Sequence, residues 1–271
     1  AKHACIITDP GVYEAGLTDP VKQQLSKAGL AVDVFSEAEP EPTFTRLNAM
    51  AEKLSKEGYD LLVGVGGGSC MDLTKGLSAI LTHGGKGEDY SGVNKVPGSV
   101  IPIFALPTTS GTGSEATRVG VFRDPEKGQK LATISPYLLP RLALVDPVLT
   151  YGCPPHVTAA SGIDALVHAI EAYPCTRANN FSDALAFEAM RLIAGSLRTA
   201  VKNGSDKQAR GDMAEGALMA GIAFGNSGLG AVHAFAHVLG GCFQVPHGVA
   251  NGLFLPYVIE YNLSANVVKY A

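Results

Sequence analysis

The first half of the chain alternates short apolar runs with helical periodicity, and this constrains its fold more than any other feature. Ala4-Cys-Ile-Ile-Thr8, Ala31-Val-Asp-Val-Phe35, Leu61-Leu-Val-Gly-Val65, Val100-Ile-Pro-Ile-Phe-Ala105 and Leu142-Ala-Leu-Val-Asp146 each have the length of one buried strand. Residues 19–28 and 43–57 carry helical spacing between them, the second stretch closed by Gly58. Strands and helices at this interval predict a parallel sheet covered on both faces, which takes ligands at the carboxyl ends of its strands. Beyond Pro154 only helical signals remain, over 155–161, 163–173, 180–202, 206–224, 229–240 and 248–262. An α/β domain over 1–150 and an all-α domain over 151–271 are therefore expected.

The third strand opens directly into Gly66-Gly67-Gly68-Ser69. Ser69-x-x-Asp72 has the pattern of a capping box, which predicts a helix starting at Ser69 with its unpaired backbone donors facing the glycines. Backbone without side chains can approach a pyrophosphate, and a helix N-terminus favours its charge. A tight strand-to-helix turn with no ligand explains the same residues nearly as well, because the spacing is not G-x-G-x-x-G. After the fourth strand, Pro107-Thr108-Thr109-Ser110-Gly111-Thr112-Gly113-Ser114-Glu115 is dense in hydroxyls that could meet phosphate and ribose; a solvated Ser/Thr loop is the alternative. Lys130, beyond a hairpin expected at Asp124-Pro125, is either a cofactor contact or a solvated lysine.

In the helical half, Gly228–Gly248 holds three of the seven histidines and no charged side chain. His233 and His237 are spaced i, i+4, so a helix projects both from one face. His247 follows a Gly-Gly break, between Pro246 and Gly248 where the chain must bend. One such histidine is usually a satisfied core residue, but three together carry more donors and acceptors than an apolar helix can match. Upstream, Asp164 and His168 are again i, i+4 on an apolar helix, costly to bury unless something binds them. Asp164, His168, His233 and His247 would form a one-oxygen, three-nitrogen set suited to Fe(II) or Zn(II), leaving His237 for proton traffic.

Composition narrows the field. Apolar residues make up 46% of the chain and charged ones only 17%, so there is much to bury. A net charge of −4 with no basic run gives nucleic acid little to bind. No apolar run reaches the length of a bilayer span, and the first residues do not read as a signal peptide. Cys5, Cys70, Cys153, Cys175 and Cys242 are odd in number and scattered, which reads as reduced thiols in a cytoplasmic protein, with Cys242 a packing residue.

Taken together, Gly66–Asp72, Pro107–Glu115, Asp146-Pro147, Gly162–Glu171 and Gly228–Gly248 resemble, in order, the iron-containing (group III) alcohol dehydrogenases. The resemblance implies a Rossmann-like nucleotide-binding domain followed by an all-α metal-binding domain, as in dehydroquinate synthase and glycerol dehydrogenase. It implies metal on Asp164, His168, His233 and His247, with His237 beside the substrate. It further implies pyrophosphate at Gly67, Gly68 and Ser69, nucleotide contacts from Thr108, Thr109 and Thr112, and Lys130 at the nicotinamide-side ribose. Asp9 matches the family's acidic residue after an early strand; a carboxylate there accepts from ribose hydroxyls and repels a 2′-phosphate, favouring NAD over NADP. The implied reaction is hydride transfer between NAD(H) and a small primary alcohol or aldehyde, in a homo-oligomer, dimer or larger.

The chain departs from the family pattern in three ways. It is about a hundred residues shorter than the length expected of such a two-domain enzyme. It is expected to lack the first strand and turn of the nucleotide domain, and to stop at Val267–Ala271 before the C-terminal helices. Glu41 stands where relatives often carry Asn. Two enzyme readings compete on the same scaffold, a hydroxyacid–oxoacid transhydrogenase and a polyol dehydrogenase. A shortened, non-catalytic metal-binding or scaffold protein is the rival from another class.

Overall fold

The apolar runs pair as expected. A computed structural model describes residues 1–270; Ala271, the last residue assigned to the helical domain, lies outside the described residues. In chain order the first unit contains β1 (His3–Ile7), α1 (Pro10–Glu14), α2 (Asp19–Lys27), β2 (Ala31–Phe35), α3 (Phe44–Leu54), β3 (Leu61–Gly66) and α4 (Gly68–His83). After these come β4 (Gly92–Val93), β5 (Ile103–Pro107), β6 (Val119–Asp124), β7 (Gln129–Ile134) and β8 (Leu142–Ala143). Five strands form a parallel sheet in the order β2-β1-β3-β5-β8, with Ala4 opposite Leu61 and Gly64 opposite Ala105. Strand β3 lies at its centre and is buried end to end, as a strand covered on both faces must be. Helix α3 starts at Thr43, whose hydroxyl accepts the Arg46 amide at 3.1 Å. It buries Phe44, Leu47, Met50, Ala51 and Leu54 in a cluster with Leu73 and Leu77 of α4 and Phe122 of β6.

Several elements differ from the sequence reading. Past β1 the chain forms a short helix outside the helical ranges given above, because Asp9 caps Val12 at 3.0 Å and Pro10 is preset for the first helical position. The fourth strand starts at Ile103, just past Pro102, and the fifth keeps only two residues. The hairpin at Asp124 is present as the β6–β7 pair, and β4 joins β7 in a second sheet that the sequence did not announce. The capping box is absent. Gly67 is the N-cap of α4 without a side-chain cap, Ser69 Oγ accepts instead from the Glu41 amide at 3.3 Å, and Asp72 Oδ2 from the Val121 amide at 3.0 Å. Both side chains found partners distant in sequence that local pattern cannot reveal.

The second unit comprises α5 (Pro155–Ala172), α6 (Asn180–Lys202), α7 (Lys207–Ser227), α8 (Ala231–Phe243), α9 (His247–Leu263) and α10 (Val267–Tyr270), together with the segment 109–116. The first unit ends at Leu144, and 109–116, counted above with the α/β domain, packs among the helices. A Cβ on Gly113 would lie 2.5 Å from Gly221 Cα of α7, and one on Gly111 2.7 Å from Ser161 Cβ of α5. The two helical stretches read either side of Gly162 are one helix, α5. The glycine is there for contact, since a Cβ would meet Leu197 Cδ1 of α6 at 2.3 Å. The core between α5, α6 and α7 is built chiefly from alanines, among them Ala165, Ala169, Ala189, Ala217 and Ala220. Arg210 of α7 is buried and donates to Gly204 O, Thr158 Oγ1 and Cys153 O, tying down the ends of the neighbouring helices. Among the described residues no single helix is long and apolar enough to cross a membrane.

Candidate metal centre and nucleotide turn

Three helices of the second unit carry polar pairs at i, i+4: Asp164 and His168 on α5, His233 and His237 on α8, His247 and Asn251 on α9. Their inward faces converge on one carboxylate oxygen. Asp164 Oδ1 lies 3.5 Å from His233 Nε2, 3.6 Å from His247 Nε2 and 3.8 Å from His168 Nε2. Ligand atoms of Asp164, His233 and His247 all fall within 4.8 Å of one another, and His168 stands one turn along α5 on the same oxygen. Asp164, His168 and His233 are buried and His247 is half-buried. His168 is stacked between Phe224 and His233, each with ring centroids 4.4 Å away. His237 lies beside the set, its ring centroid 5.3 Å from that of His247 and 6.4 Å from that of His233.

A carboxylate amid three imidazoles has strong mutual electrostatics. Burial alone would raise the Asp164 carboxyl, yet His168, His233 and His247 hold it below the ordinary carboxylate range. Burial pushes His168 down to about 3 against the pull of Asp164, so its ring is neutral and can offer a lone pair. Burial also opposes charge on His233, but Asp164 and Glu171 raise that ring to about 9. One oxygen and three imidazole nitrogens converging in a buried site fit a divalent first-row ion.

Two polar groups here escaped the sequence reading. Glu171 accepts from His233 Nδ1 at 2.6 Å and from the Val232 amide at 2.7 Å. Asn251 is fully buried and its Nδ2 lies 2.6 Å from Asp164 Oδ1 and 3.3 Å from His233 Nε2. Glu171 is i+7 from Asp164 and Asn251 i+4 from His247, so helical spacing could have found both.

Within the first unit the glycine turn sits at the carboxyl end of central strand β3. A Cβ on Gly66 would lie 2.4 Å from Cys70 Sγ, at a φ of +155°. Gly67, Gly68 and Ser69 are half-exposed at the start of a sixteen-residue helix, whose first amides have no partner within the helix. Asp9 adjoins them: its Oδ1 accepts from Val12 and its Oδ2 from the Cys70 thiol at 3.4 Å. Thr108 is buried, its amide on Gly66 O at 3.0 Å. Lys130 pairs with Glu41 at 2.7 Å, so its partner in the fold is a carboxylate and not solvent. Thr109 and Thr112, both half-exposed, belong to the helical unit. Cys242, read as packing, is exposed near the end of α8.

A parallel sheet opening on a glycine turn, then helices gathering a carboxylate and imidazoles, defines a class: dinucleotide-type α/β proteins with a helical metal-binding unit. Comparison with known proteins narrows it. Residues 1–147 match the iron-containing alcohol dehydrogenase family, and residues 158–271 match the C-terminal domain of the Fe-containing alcohol dehydrogenase family. Alcohol dehydrogenase 4 of Schizosaccharomyces pombe is 42% identical over 261 residues, covering 96% of this chain and 62% of the relative. NAD-dependent methanol dehydrogenase of Bacillus methanolicus is 41% identical over 271 residues, covering 100% and 71%. A crystal structure of 1,3-propanediol oxidoreductase superposes with a TM-score of 0.94 at 44% identity, covering 98% of this chain and 69% of that one. The chain belongs to the iron-containing alcohol dehydrogenase family. It spans about two thirds of the length of these relatives.

Proposed function

We propose that the protein transfers a hydride between NAD(H) and a small primary alcohol or aldehyde. The observation carrying this reading is the convergence of three imidazole nitrogens on Asp164 Oδ1 at 3.5–3.8 Å, in a chain of this family. Asp164, His168, His233 and His247 would hold the metal, Fe(II) by family and Zn(II) by intrinsic affinity. A divalent ion held there supplies Lewis acidity toward an alcohol or carbonyl oxygen.

The chain's own residues do the rest. First-turn amides of Gly67, Gly68 and Ser69 meet the pyrophosphate, where the end of α4 favours negative charge. Asp9 accepts from ribose hydroxyls and disfavours a 2′-phosphate, selecting NAD. Thr108, Thr109 and Thr112 offer hydroxyls to the nucleotide, and Lys130 reaches the nicotinamide-side ribose once it turns from Glu41. In the oxidising direction the carbinol carbon would give its hydride to bound NAD⁺ and the hydroxyl its proton, leaving an aldehyde. An imidazole nitrogen of His237, directly or through a ribose hydroxyl or water, receives that proton and passes it to solvent. The working form is proposed to be a cytoplasmic homo-oligomer.

Elemental analysis of protein purified without chelator, followed by NADH absorbance on a panel of small primary alcohols, tests the reading. About one ion per chain and metal-dependent NAD reduction are expected. Metal-loaded protein that leaves NAD unreduced with every alcohol would overturn it. His237→Ala is expected to lower kcat with metal content unchanged, whereas loss of metal would move His237 into the ligand set.

A further inference from the structure

One face of α5 carries three groups, not two. Asp164, His168 and Glu171 follow at i, i+4 and i+7, so a single stripe of the helix presents a carboxylate, an imidazole and a second carboxylate. Glu171 is too far along this stripe to join the convergence on Asp164 Oδ1. It is nevertheless buried, with a side chain only 5% exposed, and a buried carboxylate demands compensation.

That compensation comes entirely from the start of α8. The helix has Gly230 as its N-cap, with no side-chain cap of its own. Glu171 supplies one from another helix: Oε1 accepts the Val232 amide at 2.7 Å, and Oε2 faces the His233 amide at 3.3 Å. The same Oε2 meets His233 Nδ1 at 2.6 Å. Gly230 makes this approach possible, since a Cβ there would lie 2.7 Å from Glu171 Oε1. A carboxylate can only accept, so its 2.6 Å contact calls for a proton on Nδ1 of His233, beside the two backbone amides. The other nitrogen, Nε2, is then the one turned toward Asp164 Oδ1.

We propose that Glu171 is the positioning residue of the metal centre, setting the tautomer and orientation of His233 while capping the helix that carries it. This rests on reading Asp164, His233 and His247 as metal ligands. A carboxylate behind a ligating imidazole sharpens both geometry and basicity of the ligand. Here the same carboxylate also fixes where α8 begins, so ring and helix are aligned by one group. A residue serving only as a cap would affect folding stability and leave metal affinity alone.

Glu171→Gln separates the two roles. A glutamine oxygen can still accept one backbone amide of α8 but cannot hold amide and Nδ1 as a carboxylate does. Zn(II) competition against a chromophoric chelator is expected to show affinity falling roughly 10–100-fold in the variant. Glu171→Asp should recover part of that loss. In Zn(II)-loaded wild-type protein, imidazole ¹⁵N NMR should show a slowly exchanging proton on His233 Nδ1. Wild-type Zn(II) affinity in Glu171→Gln, with only a lowered Tm, would overturn the proposal; so would a proton on Nε2 in the wild type, a result available even if the variant does not fold. If His247→Ala binds Zn(II) as tightly as wild type, the metal reading falls, and this inference with it.

Discussion

Gly248 is where the centre is most exposed to a single methyl group. It follows His247 at the start of α9, and a Cβ there would lie 2.0 Å from the carbonyl oxygen of Ala160 and 2.6 Å from its carbon. Real Cβ contacts essentially never fall below 3.0 Å, so Gly248→Ala must separate α9 from α5 by about 1 Å. Both contacts at this point are backbone, which leaves no side chain to swing away. In a helix the Ala160 carbonyl accepts the amide of the residue four on, Asp164. The push therefore acts on the turn carrying Asp164 and beside His247, whose near approach is 3.6 Å. Overpacking of this kind costs about 1–3 kcal/mol, and an ångström of misplacement at a reacting centre can cost about a hundredfold in rate. The expected result is a Tm lower by roughly 5–10 °C, with metal content and kcat both reduced. Gly252→Ala, a turn later, is the control: its nearest neighbour is the Ile163 Cγ2 methyl at 3.2 Å, which can yield by a few tenths. Differential scanning fluorimetry, metal analysis and initial rates on both variants decide the matter. A Gly248→Ala protein with wild-type Tm, metal and kcat would refute the reasoning.

Other expectations follow from the same geometry. Gly66→Ala places a Cβ 2.4 Å from Cys70 Sγ at a φ of +155°, so it should destabilise the sheet unit by about 1–3 kcal/mol and raise KM for NAD; unchanged values of both would count against the glycine turn as the nucleotide site. Burial works to raise Glu171, but His233 and the α8 amides hold it below its ordinary 4.5. Its contribution is thus complete above that value and lost as pH falls through the lower folded value, so acid unfolding of Glu171→Gln should be less steep than wild type. Burial pushes the Cys5 thiol up to about 12 and raises Cys70 as well, while Cys242 is exposed. Iodoacetamide on the native protein at neutral pH should label Cys242, with Cys5 and Cys70 reacting only on unfolding; mass spectrometry of the digest reads this directly.

Local spacing made much of this molecule legible. Asp164 with His168 and His233 with His237 could be paired from their i, i+4 intervals, and the glycine turn from the apolar run before it. Several of the errors come from contacts made across long sequence separations. Gly162 looked like a helix break because local pattern treats glycine as punctuation; its role is set by Leu197, on another helix. Ser69 and Asp72 had the form of a capping box, but the backbones of Glu41 and Val121 claimed them. Asn251 is i, i+4 from His247, a spacing that marks its face of the helix but not its partner. Only the position of Asp164, contributed by a different helix, gives that amide a purpose.

The alanine-lined contact of α5 with α6 and α7 has a consequence for the centre that α5 carries. Ala165, Ala169, Ala189, Ala217 and Ala220 have no side-chain rotamers, so their share of the interface forms without freezing side-chain freedom. The stripe bearing Asp164, His168 and Glu171 is therefore backed in large part by methyl groups that have no alternative rotamer. At those alanine positions any rearrangement must move backbone, which ties the alignment of the three groups to the packing of the helices themselves.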